Sequence, residues 1–283
     1  MSNALRIAYG DFGRVALLDM DRPLVRHAHP HCHVLIKVEG ADSFFAVGDR
    51  IVPLTETYAV LVNGWESHAY VHDPLRPKTL ILALYIEPEW LKLFHTGWQA
   101  SGAPGFFAQP QGEISPLIRS IARDLAAEMM TRPDARAGHE ELLAQLMIAV
   151  IERFSAWREH SGSIRSLAAS PLVDFRIRRA MQAMREDYRH GANLNALATK
   201  VGLSRAHFYR LFEAQVHVTP NVYFNVIRVE AAVDASVHSD DSFSLIGERL
   251  GFSAPTHFNR FFRDHLGVSP GEFRKVARAS TSI

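Results

Sequence analysis

The densest group of ligating side chains is His27-Ala-His29-Pro-His31-Cys-His33, with His68 following in the stretch NGWESHAY. Alternate residues of an extended chain share a face, and imidazole nitrogens suit Zn2+, Ni2+, Cu2+ and Fe2+. His27, His29 and His33 are therefore expected to point into one cavity, and His68, later in the chain, makes a fourth imidazole. His31 has the same parity, but Pro30 is expected to bend the strand and turn it aside. The same four imidazoles equally suit a pocket for a small molecule, or bonds to backbone, and the residues alone leave these uses open. Phe44, Phe45, Trp65 and Tyr70 suit both a ligand cavity and plain packing, and Glu66 offers a polar contact near the mouth. Cys32 alternates with His31 and His33, so it should face outward or into the opposite sheet, as an inert thiol rather than a redox sensor.

A second set of residues suits the reading of nucleic acid. Asn193–Phe212 (NLNALATKVGLSRAHFYRLF) and Ser242–Phe262 (SFSLIGERLGFSAPTHFNRFF) repeat one pattern. Each opens on a capping residue, Asn193 or Ser242. A short apolar-periodic helix follows: Leu194, Leu197 and Val201, or Phe243, Ile246 and Leu250. Gly202 or Gly251 ends it in a left-handed turn. Ser204 and Ser253 then cap a second helix. Ala198 and Gly247 leave room for the two helices of each unit to approach. Two such helices make a helix-turn-helix, whose second helix lies in the major groove of DNA. Helical spacing puts Phe208, Leu211 and Phe212 on the core side of the first copy, and Phe258, Phe261, Phe262 and Leu266 on that of the second. It puts Ala206, Tyr209, Arg210 and Glu213 outside in one, and Thr256, Asn259, Arg260 and Arg263 outside in the other. Arg205 and His207 flank the first set, and His257 flanks the second. Arginine pairs with guanine, asparagine with adenine, and Thr or Ala meets the thymine methyl. A solvated face would explain one such arginine. Matched Arg210 and Arg260 on duplicated units favour a DNA-facing surface.

Between the copies, Thr219 caps and Pro220 opens one helix over Thr219–Val237, about 28 Å long. That is a rigid spacer for two recognition helices about one DNA turn (~34 Å) apart. Ahead of the copies, Pro171 is expected to open a helix with Val173, Ile177, Ala180, Met181 and Met184 turned inward. Its arginines 176, 178, 179 and 185 stay solvated or touch phosphate.

The C-terminal hundred residues resemble the tandem DNA-binding domain of the AraC/XylS family of bacterial transcription regulators. The family's closing pattern is met by Gly251, Phe252, Phe258, Arg260, Phe262, Gly267, Ser269, Pro270, Phe273 and Arg274. His217 departs from it, standing where the family has glycine, so that turn is expected to differ locally. Arg228 matches a family arginine, with a structural or phosphate-facing role. The rest of the chain resembles the family by architecture.

Residues 1 to about 87 read as short strands: Arg14–Asp19, His33–Glu39, Asp42–Val47, Tyr58–Val62, His68–His72 and Thr79–Ile86. Gly40, Gly48–Asp49, Asn63–Gly64 and Asp73–Pro74 punctuate them. A sandwich or small barrel follows. The resemblance makes it a cupin-like β-barrel that binds a small effector. On the cupin frame His27 and His29 form the His-x-His pair, His33 takes the acidic position and His68 the late one. Pro88–Phe94 is a short helix, His95–Gly112 a loop, and Ser115–Met130 and Gly138–His160 are amphipathic helices. Family resemblance makes these helices a dimer interface; packing on their own barrel is the alternative. Ser161–Ser170 is the linker.

The expected fold is thus a two-domain α+β chain. Residues 1–160 form the cupin-like sensor and dimerisation domain. Residues 171–283 form an all-α domain with helix-turn-helix units at about 193–215 and 242–266. The 283 residues carry a net charge of +1, but the segment from Pro171 onward carries +4 and the remainder −3. The basic half is the one with the paired units, as phosphate contacts require. One cysteine permits no internal disulfide, and there is no signal segment or long apolar run. A soluble cytoplasmic protein is expected. Its partners are promoter DNA, a small effector, RNA polymerase and a second copy of the chain, with no membrane. No cofactor is fixed, the one candidate being zinc, nickel, copper or iron at the histidines. A metal-dependent cupin oxygenase or isomerase fused to a DNA-binding module is the enzyme alternative, and a regulator working through protein contacts with a vestigial barrel is a third. No phosphate loop, metal-type Cys pair or Ser-centred elbow supports other chemistry.

Overall fold

The computed structural model describes residues 3–103, 105–155, 174–188 and 193–279. The expected linker Ser161–Ser170, with Trp157, His160, Pro171 and Val173, lies outside them.

The N-terminal half is built on strands β1 (Asn3–Gly10), β2 (Gly13–Met20), β3 (Cys32–Gly40), β4 (Ser43–Val47), β5 (Arg50–Leu54), β6 (Tyr58–Val62), β7 (His68–Val71) and β8 (Thr79–Ile86), with β9 (Gln111–Glu113) added later. They form two antiparallel sheets, in the orders β1-β2-β8-β3-β6-β9 and β5-β4-β7. Strand alternation divides the side chains of the larger sheet. Leu35, Val60, Val62, Ile81 and Ala83 face Phe45, Val47, Val52, Leu54 and Tyr70 inside the barrel. Val34, Ile36, Leu61, Leu82 and Leu84 face the other way, toward helices.

Those helices follow α1 (Pro88–Leu91) and a 3-10 turn over Thr96–Gly102. Ser115 caps α2 (Pro116–Thr131) by accepting from the Ile118 amide at 3.2 Å. Its Ile118, Ile121, Leu125 and Met129 pack with Leu143, Leu146, Val150 and Ile151 of α3 (Arg136–Phe154) onto the outer face of the sheet. Each such side chain is worth about 1.5–3 kcal/mol of burial. Most residues of these apolar stripes therefore pack on the chain's own sheet, while Leu117 stays exposed. Three strands were not foreseen, namely β1, β5 and β9, and the expected loop His95–Gly112 contains the 3-10 turn and most of β9.

The C-terminal half is helical. α4 (Phe175–Glu186) is capped by Asp174 rather than begun at Pro171. α5 (Leu194–Lys200) and α6 (Arg205–Val216) make the first helix-turn-helix, and α7 (Pro220–His238) is the spacer. α8 (Phe243–Arg249) and α9 (Pro255–Leu266) make the second, and α10 (Pro270–Ala279) closes the domain. Phe208 and Phe212 are fully buried in one unit, as are Phe258 and Phe262 in the other, while Leu211, Phe261 and Leu266 are half-buried. At the crossing of α8 and α9 a Cβ on Gly247 would lie 3.0 Å from Phe258 Cβ, so the helices approach closely there and a larger side chain would have to push Phe258 aside.

Two local expectations are corrected. Ser253 does not cap α9. Pro255 fixes the first helical position, Ala254 takes the cap without a side-chain bond, and the Ser253 hydroxyl lies 3.1 Å from His257 Nδ1. The turn at His217 does not differ from the glycine pattern: His217 is left-handed at φ 64°, and Gly267 at the matching place in the second copy has φ 76°. The helix end demands that conformation whatever the side chain.

Candidate nucleic-acid interface and sensor pocket

α6 presents Arg205, Ala206 and Arg210 to solvent with Glu213, and Tyr209 is half-buried. Arg205 leans over the Tyr209 ring at 5.5 Å, and the Tyr209 hydroxyl receives a bond from Asn221 Nδ2 at 3.2 Å. Tyr209 thereby ties the first recognition helix to the start of the spacer. α9 presents Thr256, His257, Arg260 and Arg263 to solvent, and Asn259 is half-buried. Both recognition helices thus turn cationic and hydrogen-bonding groups outward over an aromatic base.

The two family arginines outside the recognition helices are structural brackets. Arg228, on α7, donates from Nε to Leu250 O at 3.0 Å and lies 3.7 Å over the Phe252 ring. It joins the spacer to the turn of the second unit, and its burial lowers its pKa. Arg274, on α10, donates to Ser236 O at 3.0 Å and to Asp241 O at 2.9 Å, and stacks 4.1 Å over Phe243. Among the arginines of α4, Arg176 pairs with Asp174 at 2.7 Å, and Arg178, Arg179 and Arg185 are exposed.

In the sensor half, the extended segment before β3 runs alongside β7. His27 and His68 exchange backbone bonds, at 2.9 and 2.7 Å. His29 and His68 are buried, and His27 is half-buried. One ring nitrogen from each of the three lies within 4.8 Å of the others. His33 stands beside them on β3, its ring 4.9 Å from that of His29 and 5.2 Å from that of His68. Its other side stacks on Tyr85 at 4.1 Å. Burial, reinforced by the neighbouring imidazoles, holds His27, His29 and His33 well below the usual histidine range, and burial brings His68 down to about 4. His31 is turned away, with Nε2 2.7 Å from Glu87 Oε1. Cys32 points into the core beneath the helices, and burial pushes its thiol up to about 12. Of the aromatic candidates, Phe45 and Tyr70 pack edge to face inside the barrel and Phe44 is exposed. Glu66 accepts from the Asn63 amide and side chain.

The histidines lie at the junction of the two halves, a placement the sequence did not reveal. Their cavity is shared by Arg14, Ala28 and Tyr85 of the barrel with Val226, Val229 and Glu230 of the spacer and His265 and Leu266 of α9. A second cavity of about 230 Å3 adjoins it between Tyr9, Arg14, Tyr85 and Glu87 on one side and Glu230 and Asp234 on the other. Arg14 is buried, its guanidinium lies 3.8 Å over Tyr85, and no carboxylate of the described residues comes within 4.0 Å of it. Trp65, at φ 64°, stacks on Tyr223 of the spacer at 4.7 Å. No spacing rule marks Arg14 or Tyr85, and Trp65 stood out only as one of several aromatics, because the importance of all three comes from what the other half places opposite them.

A cupin-like barrel joined to paired helix-turn-helix units defines a class of bacterial transcription regulator. Two family models match the chain, an AraC-like ligand binding domain over residues 20–147 and a helix-turn-helix domain over residues 197–276. The chain belongs to the AraC/XylS family. It is 27% identical to the transcriptional activator RhaS of Citrobacter koseri over 256 residues, covering 87% of this chain and 86% of RhaS. It is 31% identical over 83 residues to the transcriptional regulator MtrA of Neisseria gonorrhoeae, covering 29% of this chain and 28% of MtrA. The matches to MtrA and to the lactose operon transcription activator of Staphylococcus xylosus thus span only 28% and 37% of those proteins. Apo ToxT K231A of Vibrio cholerae shares the whole fold, with a TM-score of 0.59 at 10% identity, covering 96% of this chain and 99% of ToxT. Among the described residues no helix is long and apolar enough to cross a membrane.

Proposed function

We propose that this chain is a one-component transcription regulator in the cytoplasm. Its paired units read two successive major-groove segments of promoter DNA, and its barrel senses a small molecule. The observation that carries the reading is the presentation of exposed Arg210 and Arg260 by matched recognition helices on either side of one continuous spacer. The effector site proposed is the junction cavity, where a ligand would touch β2, β8 and the spacer at once. Arg14 offers it an anion-seeking group, and Glu87 and Glu230 offer acceptors. A ligand so placed changes DNA binding only by favouring one arrangement of the two halves over another. RNA polymerase and a second copy of the chain are the proposed protein partners; RhaS, matched over most of its length, is an activator. That the relatives named above are regulators favours this reading over an enzyme fused to a DNA-binding module.

Genome-wide mapping of the bound sites, followed by gel retardation on the recovered motif, tests the proposal. Arg210→Ala and Arg260→Ala are each expected to cost about 1–3 kcal/mol on the specific site and much less on random DNA. Equal losses on both would make these arginines phosphate contacts only. Absence of any preferred fragment would remove the reading.

A further inference from the structure

The histidines at the junction share a feature beyond their closeness. Every Nδ1 faces a backbone carbonyl: His27 faces Val25 O at 2.9 Å, His29 faces His31 O at 3.1 Å, His33 faces Leu84 O at 3.0 Å and His68 faces Glu66 O at 2.9 Å. A carbonyl oxygen only accepts, so each Nδ1 carries the proton and each Nε2 keeps a lone pair. The Nε2 atoms of His29 and His68 are buried and meet no hydrogen-bond donor. Buried polar atoms rarely stay unpartnered without a reason. Neutral imidazoles whose other nitrogen is pinned by a carbonyl are what a transition metal selects. The set contains no carboxylate, which disfavours Ca2+ and Mg2+.

The segment bearing His27 and His29 also touches the DNA-reading half. Val25 N donates to Asp264 O of α9 at 3.1 Å, and Leu24 packs on Gly267 just beyond it. Ala28 joins the core of the first helix-turn-helix. Val25 and Arg26 line one groove with His257 and Arg260, on the reading side of α9.

We propose that His27, His29 and His68 hold a divalent transition-metal ion through Nε2, and that this ion clasps the 24–29 segment to the sensor and thereby restrains the second helix-turn-helix. The metal site stands on its own geometry; the clasp rests on the regulator reading above. Three nitrogens at bond lengths of about 2.0–2.1 Å around a tetrahedral ion lie about 3.4 Å apart. The ring nitrogens, now spread over as much as 4.8 Å, therefore draw together when the ion binds, pulling His27 toward β7. The fourth position lies beside His33 or is left to water. With the segment held in place, Val25 and Arg26 stay against the reading side of α9, so the ion weakens DNA binding.

The test uses the untagged full chain, stripped with a chelator and then loaded with Zn2+ or Co2+. Elemental analysis is expected to find one ion per chain, and Co2+ to show the intense visible bands of a tetrahedral nitrogen site. His29→Ala and His68→Ala are each expected to weaken Zn2+ binding at least ~100-fold against a chromophoric chelator, and His72→Ala to leave it unchanged. No stoichiometric ion, a pale octahedral Co2+ spectrum in the wild-type chain, or full affinity in folded His29→Ala would overturn the site; the spectrum decides should the variants fail to fold. On the recovered DNA motif, Zn2+ is expected to lower affinity at least ~5-fold in the wild type and not in His29→Ala. Unchanged or raised affinity overturns the clasp. A chain that takes up its ion but prefers no DNA sequence overturns the clasp and the regulator reading while leaving the metal site intact.

Discussion

Removing Arg228 should loosen the second helix-turn-helix without touching a DNA-facing residue. Its Nε donates at 3.0 Å to Leu250 O, one of the carbonyls that a helix end leaves unpaired. A charged donor to such a group contributes about 1.5–3 kcal/mol. The guanidinium also covers Phe252 at 3.7 Å, worth about 0.5–2 kcal/mol. Against this stands the cost of keeping a half-buried charge from water, which is what lowers its pKa. Arg228→Ala is then expected to destabilise the chain by about 3 kcal/mol, leaving a domain of ordinary stability folded. Urea denaturation measures the loss. Footprinting on the recovered motif should show the half-site of the second unit losing protection before that of the first. Arg228→Lys keeps the charge but not the planar stack or the Nε bond, and should lose most of the same energy. A loss under ~0.5 kcal/mol in Arg228→Ala, or equal weakening of both half-sites, would refute the assignment of Arg228 as the bracket between spacer and second unit.

His217→Gly is expected to stabilise the chain by about 1 kcal/mol, since the left-handed conformation costs a non-glycine residue about 1–2 kcal/mol and glycine's extra chain entropy returns part of that; denaturant titration would show a raised midpoint, and an unchanged one would count against the left-handed turn. Gly247→Val places carbon where Phe258 already lies 3.0 Å away, so it should destabilise by about 3 kcal/mol and abolish retardation of the specific fragment; a variant of normal melting temperature would contradict the close crossing. At the start of α10, the Ser269 hydroxyl and amide both donate to Glu272, which accounts for its lowered pKa. Since the folded pKa lies below the unfolded one, this stabilisation is present above about pH 4.3 and is lost as pH falls through the lower folded value. Glu272→Gln should therefore be less stable than wild type at pH 6 and equal to it once pH has fallen below the folded value, whereas a pH-independent difference would remove the charge from the explanation.

What was legible in advance depended on how local its cause was. Caps and turn residues such as Asn193, Ser204, Ser242, Gly202 and Gly251 act within a few positions, so the paired units could be placed from them. Ser253 failed as a cap because Pro255, two residues on, fixes the first helical position more firmly. Strands β2, β3, β4, β6, β7 and β8 announced themselves by apolar content and punctuation. β5 carries Pro53, and β9 is three residues long and forms only because β6 offers an edge. The apolar stripes of α2 and α3 were visible, but a stripe does not say what covers it; the chain's own sheet covers most of it and leaves Leu117 exposed. That His27, His29 and His33 share a face was readable from alternation, and His68 joined them only through the resemblance to the cupin frame. That they stand at the junction with the spacer was not readable, because it depends on Trp65 meeting Tyr223 and on α9 meeting Val25, contacts between residues over 150 positions apart.

On β1 and β2 the sheet face that continues the barrel interior forms one continuous oily surface with the last two helices: Ala4, Ile7 and Ala16 join Phe262, Val268, Phe273 and Ala277, and Tyr9 meets Phe273 edge to face at 6.4 Å. The DNA reader therefore borrows a wall from the sensor. Cut free at residue 174 it would face water with Val268 and Phe273 uncovered, and should prove less soluble and less stable than the intact chain. By the same reasoning, no signal can simply swing the halves apart. It must slide them along this wall, or provide a substitute lining for whatever it uncovers.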